Sequence, residues 1–311
     1  MSRERVRVRV PATSANLGPG FDALALALDI FDEVTLTRLP PAASGPAARP
    51  RISVQGLGAG RLPEDESLYA YQGVLAVYRH LRRSVPPLAL DLLNRIPRSG
   101  GLGGSAAASV AGLVAANALE GDALTQTDLL ELASEMEGHP DNSSAAILGG
   151  LVISVKGRAG LIARRVPVPP QLTAVMVLPE QAISTRQSRG GVLPRFVPLG
   201  DAVYNLGRTA LLVAAMQSGD WSVLREAMDD RLHQPPRGRL FPALRPTIAA
   251  ALAAGAHGAA LSGSGSAIIA LATVRQTEIA AAMRGAAAAH GYPGTTAIVA
   301  VSQVGATVLD G

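Results

Sequence analysis

The sequence predicts an α+β protein of two domains. Strand and helix patterns follow one another irregularly, not as a repeating strand–helix–strand series. The chain has 311 residues, more than one domain of ordinary size needs. Of these, 48% are hydrophobic and only 17% charged, which supplies a core and argues against disorder. Glycine, arginine and proline gather between residues 156 and 171. The division is set there, giving domains over residues 1–160 and 161–311.

Residues 5–10 alternate Arg5, Val6, Arg7, Val8, Arg9, Val10. That period of two predicts a half-buried strand. A polar turn through Asn16 and Gly18-Pro19-Gly20 follows, then a second strand over 32–39. Residues 40–50, rich in Pro, Ala, Ser and Gly, read as a surface loop. A short strand at 52–55, a helix over 66–81 and a strand over 88–96 come next. The helix predicted from Ser105 to Leu119 is apolar nearly all round, so it should be buried. The helix over 125–136 starts on Thr125 and Asp128, spaced as a capping box. Strands are predicted at 151–155 and 172–178. Helices follow at 201–217, 221–232 and 246–254, then strands at 258–261 and 267–271. A helix at 276–290 and a strand at 298–304 close the series.

Several chemistries are excluded by composition. There is no cysteine, so neither a thiolate zinc site nor a cysteine nucleophile is available. Lys156 is the sole lysine and no Gly-Lys occurs, which removes the Walker A loop. The net charge is +4. However, arginines are scattered and aromatics make up 3%, so no stacking surface for nucleic acid is expected. No apolar run is long enough for a membrane helix, and residues 1–9 lack the apolar middle of a signal peptide. A cytoplasmic protein is expected.

The strongest local signal is Ile96-Pro97-Arg98-Ser99-Gly100-Gly101-Leu102-Gly103-Gly104-Ser105-Ala106-Ala107. A glycine-rich turn runs straight into a helix. The first helical turn leaves backbone N–H groups unpaired and carries partial positive charge. Glycine lets that backbone approach an anion closely. The result is a phosphate cradle that needs no lysine.

This segment resembles the central motif of the GHMP kinases, Pro-x-x-x-Gly-Leu-Gly-Ser-Ser-Ala-Ala. Gly104 stands where that family has its first serine. Two flanking segments strengthen the resemblance, and they point to its homoserine kinases. Val10-Pro11-Ala12-Thr13-Ser14-Ala15-Asn16-Leu17-Gly18-Pro19-Gly20-Phe21-Asp22 is similar to their N-terminal motif. Ala260-Leu261-Ser262-Gly263-Ser264-Gly265-Ser266 is similar to the third. Gly100 takes the place of an arginine usual in homoserine kinases. Gly138-His139-Pro140-Asp141-Asn142 resembles a further segment of theirs, after which Ser143-Ser144-Ala145 departs from Val-Ala-Pro. Ser184-Thr185-Arg186-Gln187-Ser188-Arg189 and Asp230-Arg231-Leu232-His233-Gln234-Pro235-Pro236-Arg237 resemble two more, with Pro236 in place of a tyrosine.

The resemblance spans residues 10–271. It implies an N-terminal ribosomal-protein-S5-like domain that binds ATP and a C-terminal ferredoxin-like domain. ATP would lie on Pro97, Arg98, Ser99, Gly100, Gly101, Leu102, Gly103, Gly104, Ser105, Ala106 and Ala107. L-homoserine would meet Asn16, Asp22, His139, Asn142, Thr185, Arg189, Arg237 and Gly263. Mg²⁺ would sit on Ser105 and an upstream glutamate. Helix arithmetic favours Glu137 over Glu135, because Glu131 and Glu135 point away from the Leu129/Leu132/Met136 face. Ser105, Glu137 and Asn142 form the implied catalytic set. Asn142 cannot take a proton, so a carboxylate base is ruled out at that position. A mevalonate- or sugar-type kinase, or a catalytically impaired nucleotide-binding relative, stands as the alternative. A homodimer is compatible with the sequence, which does not fix the oligomeric state.

Overall fold

A computed structural model describes residues 3–40, 50–97, 100–181 and 185–310. The expected loop at 40–50 lies almost wholly outside these residues.

The first sheet begins with β1 (Arg5–Ala15) and β2 (Leu24–Arg38), paired antiparallel. Val6, Val8 and Val10 are fully buried while Arg5 and Arg7 face outward, as alternation requires. β2 starts eight residues before its expected first residue. Leu24-Ala25-Leu26-Ala27-Leu28 is buried at every position, so it lacks the period-two signal. β3 (Arg51–Gly56) pairs parallel with β4 (Leu88–Asn94), which pairs with β2. β5 (Leu151–Gly157) pairs with the start of β2, and β6 (Gly160–Val166) with β5. The last strand, β11 (Thr307–Asp310), returns to pair with β1.

The helices on this sheet are α1 (Tyr69–His80), α2 (Gly104–Leu119), α3 (Gln126–Glu137) and α4 (Asp141–Leu148). α2 is the buried helix its composition predicts; thirteen of its sixteen residues are buried. It touches α1 backbone to backbone. A Cβ on Gly112 would fall 1.7 Å from the Ala70 carbonyl oxygen. The capping box of α3 forms as expected: Thr125 Oγ1 accepts from the Asp128 amide, and Asp128 Oδ2 from the Thr125 amide.

The second sheet has the order β10-β7-β9-β8, with β7 (Thr173–Pro179), β8 (Gly258–Leu261), β9 (Ile268–Ala272) and β10 (Gly294–Ala300) all antiparallel. The helices of this half are α5 (Thr185–Arg189), α6 (Leu199–Ser218), α7 (Leu224–Ala227), α8 (Gln234–Leu240), α9 (Leu244–Ala253) and α10 (Gln276–Ala289). Along β7, Val175 and Val177 join the core under α9 and α10. Ala174 and Met176 join the larger core shared with the first sheet. β9 divides the same way, with Ile268 and Ala270 on one side and Ile269 and Leu271 on the other. The expected division between residues 160 and 161 falls inside the β5–β6 hairpin, and the segment between Val166 and Thr173 carries the chain from one sheet to the other.

The helix expected over 221–232 is instead a 3-10 turn at Trp221–Val223 and the single turn of α7. α7 stops at Ala227, and ahead of α8 the Asp230 carboxylate accepts from the amides of Leu232, His233 and Gln234, which a continuous helix would have bonded to carbonyls.

Asp32 fixes the end of β4. Its Oδ1 accepts from the Arg95 and Ile96 amides at 2.7 and 2.8 Å, while Oδ2 is buried without a partner among the described residues. Burial pushes this carboxyl up to about 6. The folded state therefore takes its proton before the unfolded chain does. Asp32's contribution to stability falls as pH rises from about 4 to about 6, by up to about 3 kcal/mol. Asp32→Asn keeps the Oδ1 acceptor and removes this titration. Urea midpoints at pH 4 and pH 7 should show the variant gaining on the wild type at the higher pH. A difference independent of pH would refute the assignment.

Candidate active site

From the Asp32 anchor the chain turns through Pro97 and Gly100 to Gly103, which caps α2 in a left-handed conformation with φ 64°. No side chain caps this helix end. The first helical bond of the turn runs from the Ala107 amide to the Gly103 carbonyl at 2.8 Å. The amides of Gly104, Ser105 and Ala106 precede it, so helix geometry gives them no acceptor. The turn is locked from two sides. A Cβ on Gly103 would lie 2.0 Å from Thr13 Oγ1, and one on Gly101 would lie 2.1 Å from the Ser262 carbonyl oxygen. Thr13 N donates to the Leu102 carbonyl, Ala267 N to the Gly100 carbonyl, and Ser262 Oγ to the Gly101 carbonyl. The three glycine-rich segments thus meet, although 250 residues separate the first from the last.

A cleft of about 340 Å³ opens over this turn. Gly101, Leu102, Gly103, Gly104 and Ser105 line it. Ala106 and Ala107 are fully buried behind it, and Pro97 and Gly100 do not reach its lining. Arg98 and Ser99 lie outside the described residues, as does the side chain of Thr185. A Cβ on Gly100 would meet nothing within 4 Å, so the space for a longer side chain exists there.

One wall is acidic. Ser105 Oγ donates to Glu137 Oε2 at 2.9 Å, and Ser109 Oγ lies 3.4 Å from Oε1. Burial raises the Glu137 carboxyl above its ordinary value, more than these hydroxyls lower it. Glu135 is exposed on the far side of α3.

The opposite wall carries paired charges. Asn16 sits left-handed at φ 72°, its Nδ2 donating to the Gly263 carbonyl at 2.9 Å and its Oδ1 accepting from the Asp22 amide. Asp22 and Arg189 form a two-pronged ion pair at 2.9 and 2.5 Å. Arg237 is buried, donating to His233 Nδ1, the Ser188 carbonyl and the Gly263 carbonyl. Burial, then the charge of Arg189, pushes its guanidinium down to about 10, so it stays cationic at neutral pH. Both guanidiniums stand over the Phe21 ring, at 5.5 and 5.4 Å from its centre.

His139 and Asn142 close the cleft between these walls. Asp141 orients both: its Oδ1 lies 2.8 Å from His139 Nδ1 and accepts from the Asn142 amide. That contact raises the affinity of His139 for a proton. Thr13 Oγ1 donates to Asn142 Oδ1 at 2.8 Å, which turns the side-chain N–H₂ group away from Thr13, and that group donates to Asp141 Oδ1 at 3.3 Å, leaving its second hydrogen for a ligand.

Sequence reasoning missed Thr13, Asp141, Phe21, Tyr69 and His233. His233 is neutral, with its ring pushed down to about 4 by burial. Its Nε2–H donates to the Gly18 carbonyl at 2.7 Å, so Nδ1 is left to accept from Arg237. The histidine lay inside a quoted motif, but its partners are 215 and 4 residues away in sequence. Only the nearer could have been guessed from helical spacing.

A family model described as the GHMP kinases N terminal domain matches residues 69–150, and one described as GHMP kinases C terminal matches 212–289. The chain is 42% identical to the homoserine kinase of Desulfitobacterium hafniense over 305 residues, covering 98% of this chain and all of that one. It is 43% identical to the homoserine kinase of Moorella thermoacetica over 302 residues, 97% of this chain and 99% of that one. The crystal structure of homoserine kinase from Cytophaga hutchinsonii superposes with a TM-score of 0.86 at 32% identity, covering 99% and 98% of the two chains.

Proposed function

The chain belongs to the GHMP kinase family, among its homoserine kinases, and from that premise we propose that the cleft transfers the γ-phosphoryl group of ATP to the hydroxyl of L-homoserine. The product is O-phosphohomoserine, on the way to threonine. We place the reaction in the cytoplasm; no helix among the described residues is long and apolar enough to cross a membrane.

The observation that carries this reading is the meeting of two opposed devices in one cleft. The unpaired amides at the start of α2 offer a seat for phosphate. Arg189 and Arg237, which line the cleft, offer fixed positive charge, and Asp22, paired with Arg189 but not itself in the lining, offers the negative one. An amino acid is a zwitterion, so its ammonium suits Asp22 and its carboxylate suits the planar arginine forks. The Asp22–Arg189 pair holds the same two charges together until the substrate takes over part of each. Beside the turn, a smaller recess of about 50 Å³ is lined by Leu62, Pro63, Leu68, Tyr69 and Leu92. Its apolar walls suit the nucleotide base.

Transfer through a loose transition state asks mainly for positioning and charge stabilisation. The α2 amides would stabilise charge on the transferring group. Asn142, held by Thr13 and Asp141, would aim its N–H₂ group at the substrate and could accept no proton. His139 would position the acceptor from the same side. The alcohol proton can pass to a phosphate oxygen.

Glu137 and Ser105 would hold Mg²⁺. An oxygen pair at a helix start fits that ion, which takes one or two protein ligands and completes its shell with phosphate and water. The Glu137 carboxylate also fits, because its desolvation outweighs the hydroxyls that meet it and a cation there would relieve that cost. When bound, the ion supplies charge neutralisation to the phosphates. Ser105→Ala is expected to lower turnover about tenfold or more, the worth of one contact to a charged partner, and to raise the Mg²⁺ needed for half-maximal rate. Unchanged Mg²⁺ titration curves would count against the site.

A coupled ADP-release assay with homoserine, mevalonate and galactose tests the whole reading. Turnover confined to homoserine supports it, and preference for either other alcohol ends it.

A further inference from the structure

His233 is buried and does not reach the cleft lining. It stands one helical turn ahead of Arg237, which does. Its two ring nitrogens have opposite partners. Nε2 lies 2.7 Å from the Gly18 carbonyl oxygen, which can only accept, and Nδ1 lies 3.0 Å from Arg237 Nη1, which can only donate. The arrangement that satisfies both is a neutral ring with its proton on Nε2. A cationic ring would set Nδ1–H against an arginine N–H. The Gly18 carbonyl is itself fixed. A Cβ on Gly18 would fall 2.1 Å from the carbonyl oxygen of Met228, the residue that closes α7, so the turn is clamped there. Phe21, further along the same turn, stacks on the imidazole with 5.2 Å between ring centres.

The donors of Arg237 add a second observation. A guanidinium carries one hydrogen on Nε and two on each Nη. On Arg237, Nε donates to the Ser188 carbonyl, and Nη1 donates to the Gly263 carbonyl and to His233 Nδ1. Those three bonds use Nε and Nη1 completely. The Nη2 pair is left for a ligand in the cleft that Arg237 lines. Two of the three acceptors are backbone carbonyls. His233 is the one that belongs to a side chain.

We propose that His233 is a positioning residue for the amino-acid substrate: its Nδ1 holds the Arg237 guanidinium at the angle that turns Nη2 into the cleft, and the Gly18 carbonyl keeps that acceptor available by keeping the proton on Nε2. The role rests on the reading of the cleft as a homoserine kinase site. Without the acceptor, a buried Nη1–H loses its partner, and the guanidinium must turn to find another. Each turn of that kind carries Nη2 off the line to the substrate carboxylate. The neutral imidazole suits the task better than a carboxylate would. It accepts from Arg237 without cancelling the charge that the substrate is to meet.

His233→Gln and His233→Asn divide the two bonds of the ring. A glutamine amide reaches the place of Nε2 and still donates to Gly18, but brings no acceptor to Arg237. An asparagine carbonyl falls at the place of Nδ1 and accepts from Arg237, with the Gly18 bond given up. His233→Gln should raise the KM for homoserine about tenfold or more, with kcat and the KM for ATP within a few-fold. His233→Asn should recover most of that loss, although its melting temperature falls. In an Arg237→Ala background His233→Gln should add no further change, because the group it acts through is gone. Equal KM values for the Gln and Asn variants, or a tenfold effect that persists without Arg237, overturns the proposal. Long-range ¹H–¹⁵N spectra of the unaltered protein at neutral pH need no substitution to be informative. The His233 ring, identified by its loss in either variant, should be neutral with its proton on Nε2, and a proton on Nδ1 overturns the role. Homoserine turnover by the wild type separates the two layers of the argument. Its absence ends the reading of the cleft and this role with it, whereas a failed variant pattern beside normal turnover ends the role of His233 alone.

Discussion

Arg237→Ala is expected to raise the KM for homoserine about 100-fold or more while leaving kcat within a few-fold. Arg237 is 2% exposed and its donors are held by His233, Ser188 and Gly263, so its guanidinium is placed before any ligand arrives. A pre-set, desolvated cation meets a carboxylate at little further cost. Losing one side of such a buried charge contact typically costs 2–5 kcal/mol, or about 30-fold and upward. The carboxylate lies at the far end of the substrate from the reacting hydroxyl, so the loss should fall on binding. Arg237→Lys should recover only part of it, since an ammonium keeps the charge and loses the planar fork. Steady-state kinetics on folded protein decide the matter: a fall in kcat at unchanged KM would contradict a binding role.

Gly103→Ala is expected to lower kcat/KM for ATP by about 100-fold or more. The residue sits at φ 64°, and the added methyl would press on Thr13 Oγ1 at 2.0 Å and Asn142 Oδ1 at 3.0 Å. One substitution therefore disturbs the amides that would seat phosphate and the hydrogen bond that aims Asn142. Left-handed strain alone costs about 1–3 kcal/mol, and the clash must be relieved by moving the turn. Gly100→Ala is the matched control, because open space surrounds that position. Equal ATP kinetics for the two variants would refute the argument.

The parts of the site that were legible in the sequence are those in which neighbours along the chain do the work. A glycine turn followed by an apolar helix announces a helix start, and α2 begins at Gly104 accordingly. Counting 100° per residue along α3 favoured Glu137 over Glu135, and it is Glu137 that meets Ser105. What was illegible depends on contacts between distant segments. Thr13 reaches Asn142 across 129 residues and Asp32 holds Ile96 across 64, and neither residue type nor spacing signals such a pair. The short elements were missed for local reasons. α8 carries Pro235 and Pro236 in its first turn, where proline is tolerated but reads as a break. The early part of β2 is buried on both faces and loses the alternation that marks a strand. The helix expected over 221–232 shows the converse error, because nothing along the chain signals that the Asp230 carboxylate captures three amides at once.

Neighbouring residues of β7 belong to different cores, Val175 and Val177 to one, Ala174 and Met176 to the other. Melting either half would strip the cover from one side of a strand that the other half still needs. The two catalytic lobes are thus partitions of shape and not of stability. Neither could be excised without presenting its counterpart's greasy seam to water.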